Sequence, residues 1–83
     1  MTVTELFEAI NHNRISGSEA IYTIRSLQSE ADDPRAREHL HSALSWAKIY
    51  FSRRDAVKYG GPAKVKEYLL ADLIRAQQFM PSS

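Results

Sequence analysis

The segment DDPRAREHLHSALSWAKIYF, residues 32–51, decides the fold class of this 83-residue chain. Asp33 is placed to cap a helix that begins at Pro34, because a carboxylate suits the positive end of the helix dipole and proline loses no hydrogen bond there. The apolar side chains that follow recur at helical spacing and cover an arc of roughly 160° on a helical wheel. They are Ala36, Leu40, Ala43, Leu44, Trp46, Ala47, Tyr50 and Phe51. The segment therefore predicts a long amphipathic helix with a wide apolar face.

The downstream end of this helix is open to two interpretations. On the same wheel Arg54 and Lys58 fall on the apolar arc, where a core does not accept unpaired charges. The helix therefore either stops or bends near Ser52 or Asp55, one of which then caps a new segment, or it runs on and projects beyond the bundle. We favour the second, a single helix over 34–59, because no helix-breaking residue interrupts the stretch before two glycines and a proline end it.

Capping residues predict two shorter helices upstream. Thr2 and Glu5 have the spacing of a capping box, in which each side chain satisfies a backbone N–H of the other residue. Apolar residues at helical spacing then predict a helix over 3–12. Ser16 has the position of a second cap and predicts a helix over 17–31. Because the connection between these helices is short, we expect them to form an antiparallel hairpin.

A last helix is predicted over 62–79. Gly60 and Gly61 suit the exit from the preceding helix, and Pro62 suits the first position of the next one. The inward stripe of this helix is Val65, Leu69, Leu73, Ala76 and Met80. We expect the tail Pro81-Ser82-Ser83 to be frayed. The whole pattern predicts one all-α domain over residues 1–83: a small antiparallel four-helix arrangement, with a short N-terminal helical hairpin packed on two longer C-terminal helices.

Composition limits the classes of protein to which the chain belongs. It has no cysteine, so it offers neither a disulfide nor a thiolate nucleophile, which suits a reducing cytoplasm. Its first residues include no basic segment of the kind that begins a secretory signal. No apolar run approaches the roughly 20 residues that span a membrane. We therefore expect a cytoplasmic protein that does not enter a membrane.

Charge is distributed unevenly along the chain, although the formal net charge is only +1. Residues 1–45 hold four basic and seven acidic side chains, a net of −3, whereas residues 46–83 hold seven basic and three acidic side chains, a net of +4. An anionic partner is therefore expected to meet the second half of the chain.

The sequence predicts neither an enzyme nor a metal or cofactor site. His39 and His41 are two residues apart on a helix, which directs them about 200° from each other, so they cannot chelate one ion. His12 lies in a turn without a second ligand at suitable spacing. The Gly-x-Ser-x-Gly motif of a nucleophilic serine is absent. Asp72 is the one carboxylate in an apolar stretch, although its wheel neighbour Arg75 allows it to face outward.

The apolar face of the third helix is wider than three small neighbours need, which indicates a second contact surface. We predict that this surface binds another protein through apolar anchors and a basic rim, since such rims set the rate and orientation of association. The anchors are Trp46, Ile49, Tyr50 and Phe51, and the rim is Arg53, Arg54 and Lys58. The predicted function is that of a small protein-binding module. It would be a regulator, inhibitor or accessory subunit that docks onto a larger protein or associates with itself as a homodimer.

An anion-binding turn is the alternative interpretation of the basic half. Glycines before a helix expose backbone N–H groups, to which the helix dipole adds positive charge. The candidate residues are Gly60, Gly61, Lys64 and Lys66, and the basic segment 53–66 would then bind nucleic acid or phosphate. The turn lacks the spacing of a P-loop. A helix-turn-helix DNA reader fits poorly, because the third helix is too apolar to lie in a groove.

Overall fold

The computed structural model describes residues 1–80, which fold into α-helices without a strand. The five helices in this part of the chain are α1 (Val3–Asn11), α2 (Gly17–Glu30), α3 (Pro34–Tyr50), α4 (Arg53–Lys58) and α5 (Pro62–Gln77). The predicted all-α class is confirmed. The tail Pro81-Ser82-Ser83, for which fraying was expected, lies outside the described residues.

The predicted caps form at the starts of the first three helices. Thr2 and Glu5 make the full capping box: the Thr2 hydroxyl accepts from the Glu5 backbone N–H at 3.1 Å, and the Glu5 carboxylate accepts from the Thr2 N–H at 2.9 Å. Ser16 caps α2 by accepting from the N–H of Glu19 at 3.2 Å. Asp33 caps α3 in the same way, with Pro34 at the first helical position. Local chemistry therefore fixes where these helices begin.

The prediction of one helix over 34–59 is wrong, because α3 ends at Tyr50 and the separate helix α4 begins at Arg53. Ser52 takes extended backbone angles and occupies the N-cap position of α4, although its side chain makes no capping hydrogen bond. The physical reason is the change of phase in the sequence. A continuous helix would turn basic residues toward the interior, whereas the break buries Ala56 completely and leaves the basic residues of α4 exposed. The predicted four helices thus become five.

The four longer helices form a ring in the order α1, α2, α3 and α5, with neighbours antiparallel. The most extensive packing is between α3 and α5, followed by α2 with α3 and α1 with α5. Only a small contact joins α1 and α2 directly, so the two helices of the predicted hairpin pack little against each other. α1 packs mainly on α5, and α2 packs mainly on α3.

Aliphatic side chains fill the centre of the ring. The largest fully buried ones are Val3, Leu6, Ile10, Ile24, Leu40, Val65, Leu69 and Leu73. Burying one such side chain contributes about 1.5–3 kcal/mol, a large share of the net stability of a small domain. The aromatic residues of α3 stay at the edge of this core, where they are partly buried.

A close approach between α2 and α3 requires glycine at position 17. A Cβ atom added to Gly17 would lie 2.9 Å from the Cβ of Phe51 and 3.0 Å from its Cγ. Both atoms belong to the base of the Phe51 side chain, so rotation of the ring cannot relieve the contact. Space, rather than an unusual backbone angle, therefore selects glycine here.

A buried carboxylate links α3 to α5. Asp72 is only 5% exposed, and its Oδ2 accepts a hydrogen bond from the Ser42 hydroxyl at 2.6 Å. Its other oxygen accepts from the Arg75 guanidinium at 3.3 Å. Asp72 therefore points into the α3–α5 interface, and both of its oxygens have partners there, as a buried charge requires.

The end of the bundle where α1 begins and α5 finishes is tied together by side chains. Gln77 donates to the Thr4 hydroxyl at 2.7 Å, which joins α5 to α1. The ring of Phe79 stacks on His39 at a centroid distance of 5.9 Å, and the Arg35 guanidinium lies 4.3 Å from the same ring. We call this end of the bundle the closed end, because these side-chain contacts cover it.

Candidate functional site

An open cleft lies at the other end of the bundle, where α1 and α3 finish and α2 and α5 begin. We call it the end cleft. Its volume is about 750 Å³. The residues that line it are Ile10, Asn13, Ile15, Tyr50, Phe51, Arg53, Val57 and Pro62. Apart from Asn13 and Arg53, these residues have aliphatic or aromatic side chains, although Ile10 is itself buried, and polar and apolar atoms share the surface of the cleft.

The α1–α2 connection forms one wall of the end cleft and is held by a polar network. Asn13 takes the left-handed conformation, with φ 54°, which short amide side chains tolerate. Its Oδ1 accepts hydrogen bonds from the Tyr50 hydroxyl at 3.2 Å and the Lys66 ammonium at 3.4 Å. Lys66 also donates to the backbone carbonyl of Asn11 at 2.9 Å. The network ties this wall to α3 and α5, so the shape of the cleft is fixed on this side.

The short helix α4 forms the facing wall. Ala56 is its buried residue, and the next residue, Val57, is 70% exposed although it is apolar. Arg53 lies one turn before Val57 and also lines the end cleft. Val57 is therefore an exposed apolar side chain at the rim of the end cleft.

The cations of α4 beside the end cleft lack intramolecular partners, unlike Lys66. Within residues 1–80, Arg53, Arg54 and Lys58 are exposed, and none has a carboxylate within ion-pair distance. Asp55, the acidic residue of α4, pairs with none of them. The end cleft is thus bordered by positive charge that the rest of the described chain does not neutralise.

Cations at the closed end of the bundle behave differently. Arg35 pairs with Asp33 at 2.8 Å and Arg75 with Asp72 at 3.3 Å, while Arg37 donates to the backbone carbonyl of Ala31 at 3.0 Å. The Arg35 guanidinium and its backbone N–H both bond to Asp33, which lowers the pKa of that carboxyl. These three arginines therefore differ from Arg53, Arg54 and Lys58 of α4, which have no such partners within residues 1–80.

The structure divides the predicted partner-binding residues between two places. Tyr50, Phe51 and Arg53 meet in the end cleft, and Arg54 and Lys58 lie beside it on α4. Trp46 and Ile49 do not line this cleft; both lie on α3 and are partly buried.

Trp46 belongs to a separate aromatic cluster. Its ring lies 4.9 Å from the ring of Tyr68 and 5.6 Å from that of Tyr59, the latter in an edge-to-face geometry. Such pairs contribute about 0.5–1.5 kcal/mol beyond their burial. Intramolecular packing therefore accounts for much of the apolar surplus that Trp46 suggested in the sequence.

Several residues of the end cleft did not stand out in the sequence. Ile10 and Ile15 read as core and turn residues, while Val57 and Pro62 read as parts of helices. One signal was present: Ile15 is the single apolar residue of the α1–α2 connection. In the structure Ile15 is partly buried against the core and also lines the cleft.

The predicted anion-binding residues are not gathered around one point. Gly60 and Gly61 have φ near 99° and 98°, as the turn requires, but their N–H groups donate to the carbonyls of Val57 and Ala56. The ammonium of Lys66 is engaged at the end of α1, and that of Lys64 lies 4.0 Å from the Glu67 carboxylate. The backbone donors on which this prediction depended are thus used within the turn.

The histidines lie apart from one another. His12 contacts Glu8 at 3.1 Å, and His39 stacks on Phe79. Within residues 1–80 no group of three His, Asp or Glu side chains has the geometry to hold a metal ion. None of the helices in this range is long and apolar enough to cross a membrane.

Comparison of the chain with protein-family models, with curated proteins and with solved structures finds no match.

Proposed function

We propose that this chain is a small protein-binding module that docks onto a larger protein through the end cleft. It would act as a regulator, an inhibitor or an accessory subunit. The observation that supports the proposal best is the combination of an open apolar cleft with the exposed Val57 on its rim. Concave apolar surface with a few polar groups is typical of binding sites.

The expected energetics follow from the area that a partner would bury. Covering one Val, Leu or Phe side chain contributes about 1.5–3 kcal/mol, and each 1.4 kcal/mol changes Kd tenfold. Loss of one such contact at the rim should therefore weaken binding by about tenfold to a hundredfold. Val57 is the best position to test, because it is exposed and its side chain supports little of the core.

Selection from a random peptide library tests the proposal and does not require the partner to be identified. The immobilised chain would be used as bait, and the selected peptides would be measured against the chain and two variants by fluorescence anisotropy. Val57→Asp places a charge on the rim of the end cleft. Tyr22→Asp is the matched control, because Tyr22 is similarly exposed, at 73% against 70%, and does not line the cleft.

We expect the selection to yield peptides whose Kd rises at least tenfold with Val57→Asp and is unchanged with Tyr22→Asp. Circular dichroism would show that both variants remain helical. A selection that yields no binder, or only binders that ignore Val57→Asp, would contradict docking at the end cleft.

Two finer parts of the proposal have their own tests. Self-association as a homodimer through the same cleft would appear as a dimer mass in analytical ultracentrifugation that Val57→Asp reduces to the monomer. A cytoplasmic location agrees with the absence of cysteine from the sequence, and cell fractionation of the native host would test it.

Nucleic-acid or phosphate binding is the second candidate function, and the unpaired cations of α4 favour it. Arg53, Arg54 and Lys58 could neutralise several phosphates, and such binding weakens steeply as salt concentration rises. A mobility-shift assay with generic DNA and RNA at about 50 mM salt would test it. Binding that Arg53→Gln/Arg54→Gln abolishes would support this function, and no shift at that salt concentration would dismiss it.

A further inference from the structure

We infer that the occupant of the end cleft is an acidic amphipathic helix of a partner protein. This inference rests on the proposed function and adds the chemistry of the partner. It depends on three observations: the apolar lining, the unpaired cations beside it, and their arrangement along α4.

The charge around the cleft selects an anionic partner. Arg53 lines the cleft, and Arg54 and Lys58 follow on the same short helix. Within residues 1–80 none of these three cations has an ion-pair partner, and no carboxylate lines the cleft. A partner that covers the cleft therefore meets three unpaired positive charges on one helix.

The arrangement along α4 places apolar and charged contacts within one turn of each other. Arg53 and Val57 are four residues apart and share a helical face, and Arg54 and Lys58 have the same spacing on the next face. A partner that buries an apolar side chain against Val57 therefore brings its neighbouring residues against the cations. A helix with apolar residues on one face and carboxylates beside them meets both requirements, as in other helix-in-groove complexes.

Other occupants match the cleft less well. A nucleic acid could pair with the cations, but its phosphates would leave the side chains of Ile15 and Val57 uncovered. A second copy offers the exposed Tyr22 together with Glu30 on α2, but the cation Arg25 lies in the same depression and would meet the cations of α4.

Three synthetic peptides of about 14 residues, or four helical turns, provide the test. All three carry the same leucines and phenylalanines on one face, and their other face carries glutamate, glutamine or lysine. Fluorescence anisotropy at about 50 mM salt, where surface charge is weakly screened, gives the three Kd values. Two variants of the chain are compared: Arg53→Gln/Lys58→Gln at the cleft, and Arg25→Gln/Lys48→Gln as a control with the same change in net charge.

We expect the glutamate peptide to bind about tenfold more tightly than the glutamine peptide, as two or three exposed charge pairs together allow. The lysine peptide should bind more weakly than both. The preference should disappear with Arg53→Gln/Lys58→Gln and persist with Arg25→Gln/Lys48→Gln.

Equal binding of the three peptides, or a preference that survives Arg53→Gln/Lys58→Gln, would overturn the inference. So would the failure of all three peptides to bind when library-selected peptides bind in a Val57-dependent way. In each of these cases the proposed function would stand. That function fails only if the library selection yields no peptide whose binding is weakened by Val57→Asp.

Discussion

Replacing Gly17 by alanine tests the close approach of α2 to α3, on which the shape of the end cleft depends. Gly17 begins α2, and a glycine-to-alanine change in a helix ordinarily stabilises it by roughly 0.5–1 kcal/mol. Here the new Cβ would lie 2.9 Å from the Cβ of Phe51, closer than two carbon atoms can remain without a shift. The two effects have opposite signs, so the measured stability shows which one dominates.

The steric effect should dominate. Overpacking of this kind costs typically about 1–3 kcal/mol, and moving the Phe51 ring does not help because the contact is with the base of its side chain. After the gain in helix propensity is subtracted, Gly17→Ala should lower the free energy of unfolding by up to about 2.5 kcal/mol. In a domain of this size, each 1 kcal/mol lowers Tm by about 4–8 °C.

Urea and thermal unfolding followed by circular dichroism would measure the effect. Ser18→Ala, at the next and exposed position of α2, is the matched control and should leave stability nearly unchanged. The Phe51 ring resonances in NMR should shift in Gly17→Ala alone. If Gly17→Ala raises Tm, the helices do not approach as closely as described, and the geometry of the Phe51 wall of the cleft is wrong.

Two further predictions concern polar groups. Ser42→Ala removes the shorter of the two hydrogen bonds to buried Asp72 and should destabilise the fold by about 1–3 kcal/mol in urea unfolding, because a buried charge then loses a partner; an unchanged midpoint would show that solvent reaches this carboxylate. Hydrogen bonds from Thr2, chiefly from its backbone N–H and secondly from its hydroxyl, lower the pKa of Glu5. The ionised Glu5 carboxylate therefore stabilises the fold above its unfolded-state pKa, and this stabilisation is lost as pH falls through the lower folded-state pKa. NMR titration should therefore give Glu5 a lower midpoint in the folded chain than in urea, and equal midpoints would contradict the capping box.

The starts of the helices could be predicted from the sequence because capping is local. Thr2, Ser16 and Asp33 each bond to a backbone N–H two or three residues away, so the sequence contains both partners at a fixed spacing. The break at Ser52 has no such local cause, since no helix-breaking residue precedes it and its side chain makes no cap. The helical wheel shows the change of phase after Ser52, but it does not show the burial of Ala56 against the rest of the bundle, which favours a break over a projecting helix.

The candidate site could be predicted only in part, for a related reason. Tyr50 and Phe51 were identified because they end the apolar stripe of the third helix, and Arg53 because it begins the basic segment that follows. Ile10 and Val57 were not, because the cleft brings together segments that are far apart in the chain, and periodicity within one helix says nothing about which helix ends meet.

The hydrogen bond between Thr4 and Gln77 has a consequence for how this domain can be connected to other polypeptides. It places the beginning of α1 beside the end of α5, at the end of the bundle away from the cleft. A protein fused on either side would stand behind the cleft rather than across its mouth. A circularly permuted chain, joined by a short linker at this point and opened in the connection between α2 and α3, would keep every loop that shapes the cleft.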